Sequence, residues 1–169
     1  MVREIILLGN PKLYKISSNI EKEELGRIKE IVCDLHDTLI DFRNKYGVGR
    51  AIAAPQIGVF KRLIYMYIDK PMVFINPILH FEDDELMEVM DDCMSFPELL
   101  VKVKRHKRCT IEFKDMDFKD TTMKLEGDLS ELLQHEYDHL DGILATMRAV
   151  DDKAFCLKSE RSMFNKLNL

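Results

Sequence analysis

The 169-residue chain has the length of one domain with a substantial core, and residues 1–169 are read as a single unit. Hydrophobic residues make up 46% and charged residues 33%, the balance of a globular chain rather than a disordered one. A formal net charge of −5 argues against a dedicated DNA or RNA binder, and no apolar run approaches the ~20 residues needed to span a membrane.

In chain order, the N-terminal stretch from Met1 to Leu8 meets Gly9-Asn10-Pro11 too early for the apolar region of a secretory leader, and no small-residue cleavage site follows. A cytoplasmic location is therefore expected. The cysteines at 33, 93, 109 and 156 include no CxxC pair, so free thiols are expected there. Cys33 and Cys109 lie in apolar-periodic segments and read as small buried hydrophobes. Cys93 differs, because it stands between Asp91-Asp92 and Met94-Ser95.

Residues 21–45 predict a long helix, with Leu25, Ile28, Ile31, Val32, Leu35, Leu39 and Phe42 on one stripe and charges opposite. His36 sits among those charges and reads as solvated. Gly47 and Gly49 end the helix in a loop leading to Ala53-Ala54-Pro55-Gln56. The period then changes. Residues 63–68, 73–75 and 86–90 read as short strands, separated by Pro71 and Pro77. Val101 and Val103, then Cys109, Ile111 and Phe113, alternate with charged residues as in a half-exposed antiparallel sheet. The basic run within this stretch, residues 102–108 (KVKRHKR), reads as alternating charge on a surface strand, with docking on an RNA-rich partner as the second reading. Residues 115–119 suggest a hairpin turn, residues 129–141 a helix, and the polar C-terminal segment one more. Helix, strands, then helix give an α+β fold, with antiparallel sheets around the second helix.

That second helix carries His135-Glu136-Tyr137-Asp138-His139, an HExxH pattern. Residues four apart share a helix face, about 6 Å apart at Cβ, so two imidazoles can hold one metal ion. At about 100° per residue, both histidines and Glu136 share an arc of roughly 160° with Leu129, Leu132, Leu133 and Leu140. They therefore face the core. The bland alternative is a structural glutamate between two satisfied core histidines, which buries a costly carboxylate without a use. Asp128 with Glu131 fits a capping box, and Gly142 suits the stop. Catalytic sites of this kind keep three protein ligands and an open position. No histidine follows His139, and Cys93, a thiolate donor in a polar setting, is the candidate third ligand.

Three segments, residues 49–58 (GRAIAAPQIG), 91–95 (DDCMS) and 134–142 (QHEYDHLDG), resemble in order the three motifs of the peptide deformylase family. Gly9-Asn10-Pro11-Lys12-Leu13 and Ile75-Asn76-Pro77 are similar to that family too, and the likeness runs from residue 5 to about 147. The resemblance implies a hydrolase that removes the N-formyl group from formyl-methionyl nascent peptides and releases formate. It implies Fe(II) on Cys93, His135 and His139, replaceable by zinc, nickel or cobalt. It further implies Glu136 as acid/base, with the Gln56 amide and the Met94 N–H as donors to the carbonyl oxygen. Gly49, Ala51 and Ile52 are implied at the substrate rim. Transient contact with the ribosome is expected, and contact with DNA or membrane is not.

The family pattern is altered at three places. Ala51 replaces the second glycine of GxG, which narrows backbone freedom where substrate approaches. Asp91 replaces a glutamate and so shortens a carboxylate expected to support the ligands. Asp92 replaces a glycine beside Cys93; turned towards the metal, it raises the pKa of Glu136. Other readings stay open: a paralogue weak on formyl-peptides or acting on another N-formyl compound, a non-catalytic metal-binding module, or an HExxH endopeptidase. Retention of Glu136 and Gln56 argues against the module, since a structural site needs neither.

Overall fold

Helix α1 spans Leu25–Tyr46 in the computed structural model, which describes residues 1–167. A 3-10 turn at Lys22–Glu24 leads into it, so the predicted start falls on that turn; the Glu24 carboxylate accepts the Glu21 N–H there. Ile28, Ile31, Leu35, Leu39 and Phe42 are buried, with Leu25 and Val32 packed at the margin. Gly47 closes the helix at φ 72° and donates its N–H to the Arg43 carbonyl. Two expectations fail here. Cys33 is exposed, because it lies about 200° round from both Ile31 and Leu35. His36 is half-buried, because the strand Leu63–Tyr67 runs beside α1 and places the Tyr65 hydroxyl 2.7 Å from Nδ1.

Strands β1 (Ala51–Ala53), β2 (Leu63–Tyr67), β3 (Pro71–His80), β6 (Arg108–Lys114) and β7 (Asp120–Glu126) form an antiparallel sheet in the order β1-β2-β3-β6-β7. Ile52, Leu63, Tyr65 and Ile75 pack with α1, whereas Ala51, Ala53, Ile64, Met66 and Phe74 pack with helix α2 (Asp128–Leu140). The alternation of a strand thus serves two apolar faces, which is why β1 and β2 read as almost continuous hydrophobic runs. Strands β4 (Leu86–Asp92), β5 (Leu99–His106) and β8 (Phe155–Leu157) form a second antiparallel sheet. Helix α2 touches strands of both sheets.

Pro71 and Pro77, expected to separate strands, both lie within β3. Pro71 is its first residue. Pro77 follows Asn76, at φ 50°, where the pairing with β6 shifts between Ile75 and Ile78, so its missing N–H falls at a bulge. The alternating runs at 101–103 and 109–113 belong to different sheets, joined through the single residue Lys107. The basic run is also largely neutralised. Arg105 is 3% exposed and paired with Asp91 and Asp138, while Lys107 and Arg108 pair with Glu85 and Asp83. The β6–β7 hairpin turns where expected, with Asp115 Oδ1 accepting the N–H groups of Asp117 and Lys119. At the C-terminal end, α3 covers Arg161–Leu167; residues 168 and 169 lie outside the described residues.

The capping box expected for α2 does not form. Gly127, at φ 60°, occupies the N-cap, and the Glu131 side chain turns to Arg50 instead. Burial also extends beyond the predicted arc to Ser130, Gln134 and Asp138. The small sheet covers that side: the His106 carbonyl accepts from Ser130 Oγ and Gln134 Nε2, both at 2.8 Å.

Candidate metal centre

Cys93 stands immediately after β4, where the small sheet reaches α2. His135 and His139, one turn apart on α2, bring their Nε2 atoms to 3.2 Å, and Cys93 Sγ lies 3.3 Å from His139 Nε2. The three donor atoms lie within 4.8 Å of one another, and all three residues are buried. Soft and borderline lone pairs converging in a buried spot need a cation between them, and one thiolate with two imidazoles suits a divalent transition metal. Two buried polar atoms around the cluster have no hydrogen-bond partner among the described residues: Glu136 Oε2 and His139 Nδ1. The donor set therefore fits a metal.

Its support is a chain of charges, buried apart from Arg148 at its outer end. Asp91 Oδ1 lies 2.8 Å from His135 Nδ1, which orients that ring with Nε2 towards the cluster. Arg105 donates to Asp91 Oδ2 at 2.8 Å and to Asp138 Oδ2 at 2.5 Å, and Arg148 holds both oxygens of Asp138. Burial alone would raise the Asp91 carboxyl, but His135 and Arg105 outweigh it and hold it at about 2. Burial would lower His135, and Asp91 with Cys93 outweighs it, keeping that ring well above its ordinary value. His139 goes the other way: burial, then the charge on His135, push it well below the ordinary value, so its ring is neutral. Burial pushes Glu136 up to about 7, with His135 opposing and Asp91 adding to the rise.

A cavity of about 460 Å³ opens on this cluster, lined in part by Gly49, Ala51, Cys93, Met94, His135 and Glu136. Ile52, expected at its rim, is instead fully buried on the α1 side of the sheet. Gln56 is buried behind Cys93: its Oε1 accepts the Ala53 N–H at 2.9 Å, and its Nε2 donates to Ser95 Oγ at 3.1 Å and approaches Cys93 Sγ at 3.5 Å. Asp92 turns outward at the cavity mouth, 48% exposed, with Oδ2 3.4 Å from Lys158 Nζ.

A family model described as polypeptide deformylase matches residues 2–155. The chain belongs to the polypeptide deformylase family. It is 36% identical to a peptide deformylase of Dictyoglomus thermophilum over 154 residues, covering 90% of this chain and 95% of that one. It is 33% identical to a peptide deformylase of Pseudothermotoga lettingae over 160 residues, covering 95% and 90%. The crystal structure of a peptide deformylase from Thermotoga maritima superposes with a TM-score of 0.82 at 28% identity, covering 89% of this chain and 99% of that one. Deformylases are metal-dependent hydrolases that remove the N-formyl group from nascent polypeptides, and Cys93, His135 and His139 form a group that could hold a metal ion.

Within this deformylase, the features that sequence reading missed are charged. Arg105 was read as surface, since a basic residue in an alternating strand looks the same whether solvated or paired. Arg50 and Glu131 form an ion pair of 2.8 Å in the cavity lining. Glu131 had a usable signal: four residues before His135, it lies only about 40° round the helix from that ligand. Lys158, far along the chain, carried none.

Proposed function

We propose that this chain is a single catalytic domain, residues 1–169, that hydrolyses the formyl amide of formyl-methionyl nascent peptides in the cytoplasm, with transient contact to the ribosome. Cys93, His135 and His139 hold the metal, Fe(II) in the native protein, with zinc, nickel or cobalt as substitutes. The observation that carries this reading is the convergence of Cys93 Sγ and two imidazole Nε2 atoms, with Cys93, His135 and Glu136, whose Oε2 has no partner among the described residues, lining one open cavity. No described helix is long and apolar enough to cross a membrane.

The bound ion supplies Lewis acidity, which acidifies water and polarises the formyl carbonyl. Glu136 Oε2 accepts the proton of the attacking water and delivers it to the amine nitrogen as the formyl C–N bond breaks, leaving formate and a free amino terminus. Charge develops on the carbonyl oxygen, and donors fixed beforehand stabilise it. For Gln56 to act, the Nε2 hydrogen that meets Cys93 Sγ at 3.5 Å would turn to the carbonyl oxygen, while Ala53 N–H and Ser95 Oγ keep the amide in place. The Met94 N–H is the second donor. Gly49 and Ala51 border the peptide, and Ile52 fixes their strand from the core side.

Fe(II)-loaded protein prepared without oxygen should release formate from formyl-Met-Ala-Ser. Glu136→Ala should abolish release while keeping about one metal per chain. Undiminished release by that variant would remove Glu136 from the chemistry.

A further inference from the structure

We propose that the Arg50–Glu131 ion pair belongs to the subsite for the side chain next to the formyl group, and that it extends the accepted substrates from methionine to neutral polar side chains such as glutamine. This rests on the deformylase reading above. The pair bridges the cavity from the residue before β1 to α2, with Arg50 Nη2 2.8 Å from Glu131 Oε1. Glu131 lies one turn before His135 on the same side of α2, and Arg50 adjoins Ala51. Arg50 and Glu131 line the same cavity as His135 and Glu136.

In an N-formyl peptide only two bonds, of about 1.33 and 1.46 Å, separate the formyl carbon from the first Cα. The first side chain must therefore settle in the cavity wall close to His135 and Glu136. Part of that wall is apolar, through Leu132, Met94 and Phe42. The polar part includes this ion pair, joined through one nitrogen and one oxygen, with Arg50 41% and Glu131 15% exposed. Neither side chain has another hydrogen bond among the described residues, so Arg50 N–H groups and the second Glu131 oxygen stay available. A methionine thioether offers no donor and only a weak acceptor, and packing it here takes water from the pair without replacing its hydrogen bonds. A primary amide of similar length offers an acceptor to Arg50 and donors to Glu131, and leaves the pair intact. A charged side chain would displace one partner and leave the other unpaired, so the neutral polar class is the one that fits.

The test compares kcat/KM for formyl-Met-Ala-Ser and formyl-Gln-Ala-Ser on metal-loaded enzyme, read as formate. The ratio of the two constants cancels metal content and active fraction, which a merely structural role would change. The wild type should favour methionine by less than about tenfold, and the double variant Arg50→Leu, Glu131→Leu should raise that preference at least tenfold. Glu131→Leu alone, a smaller change to the fold, should shift it in the same direction. A wild-type preference for methionine above tenfold, or a ratio unchanged in the folded variants, overturns the proposal while leaving the deformylase reading in place. No formate from either peptide would sink both.

Discussion

Glu136 shows how burial makes an ordinary carboxyl useful. Nothing in HExxH gives its pKa; the raised value comes from a helix face closed over by both sheets. In metal-free protein it should titrate near 7, against an ordinary 4.5. The sign follows from linkage: the folded protein holds this proton more tightly than the unfolded chain, so this group removes stability as pH rises from 4.5 towards 7. Asp91 acts oppositely, with stability present above 3.8 and lost as pH falls through about 2. A divalent cation beside Glu136 favours the carboxylate, so zinc should move its titration down, as seen by NMR of carboxyl-labelled glutamate. An unmoved titration would separate Glu136 from the metal. Asp92 was expected to raise Glu136 if turned inward. It faces Lys158 at the mouth instead, so Asp92→Asn should leave that titration in place.

At the scale of elements, the sequence displayed whatever repeats locally. The α1 stripe, the hairpin at Asp115–Lys119 and the helix carrying the histidines follow from spacing alone. The division of strands into two sheets does not, because alternation records that a strand has a buried face and says nothing of its partner. For the same reason β5 and β6 look continuous, though only Lys107 joins two sheets. One glycine is required by an approach that no local pattern reveals. Gly142, at φ 69°, closes α2, and a Cβ there would stand 2.4 Å from the Tyr14 carbonyl oxygen. The N-terminal segment is also held to this helix end by Ser17, whose N–H donates to the Leu140 carbonyl. Gly142→Ala must therefore strain the backbone and push two main chains apart at once. We expect a loss of about 2–4 kcal/mol, with the left-handed strain and the displaced contact both contributing, measured by urea unfolding. A loss below about 0.5 kcal/mol would show that the two segments separate freely.

At the scale of the molecule, the metal centre joins parts that are otherwise tied by side chains. Cys93 extends from the small sheet, whereas the histidines sit on a helix whose leucines pack against the large one. Without a metal, the tie between small sheet and helix rests on Asp91 with His135, Arg105 with Asp138, and Ser130 and Gln134 with His106. Because an ion held by all three ligands binds only the folded arrangement, it stabilises the whole by mass action, about 4 kcal/mol at a thousandfold excess over Kd, or roughly 10 °C in Tm. The loss on chelation should not be uniform. Amides of β4 and β5 should lose hydrogen-exchange protection first, since opening the small sheet no longer breaks a metal–sulfur bond, while the β6–β7 hairpin should keep protection close to that of the holoprotein. Cys93→Ala should give the metal-loaded protein the exchange pattern of the chelated wild type, because the tie is cut on the side of the small sheet alone. Equal losses in both sheets would mean that the molecule opens only as one unit, and that the thiolate adds binding without joining two separable parts.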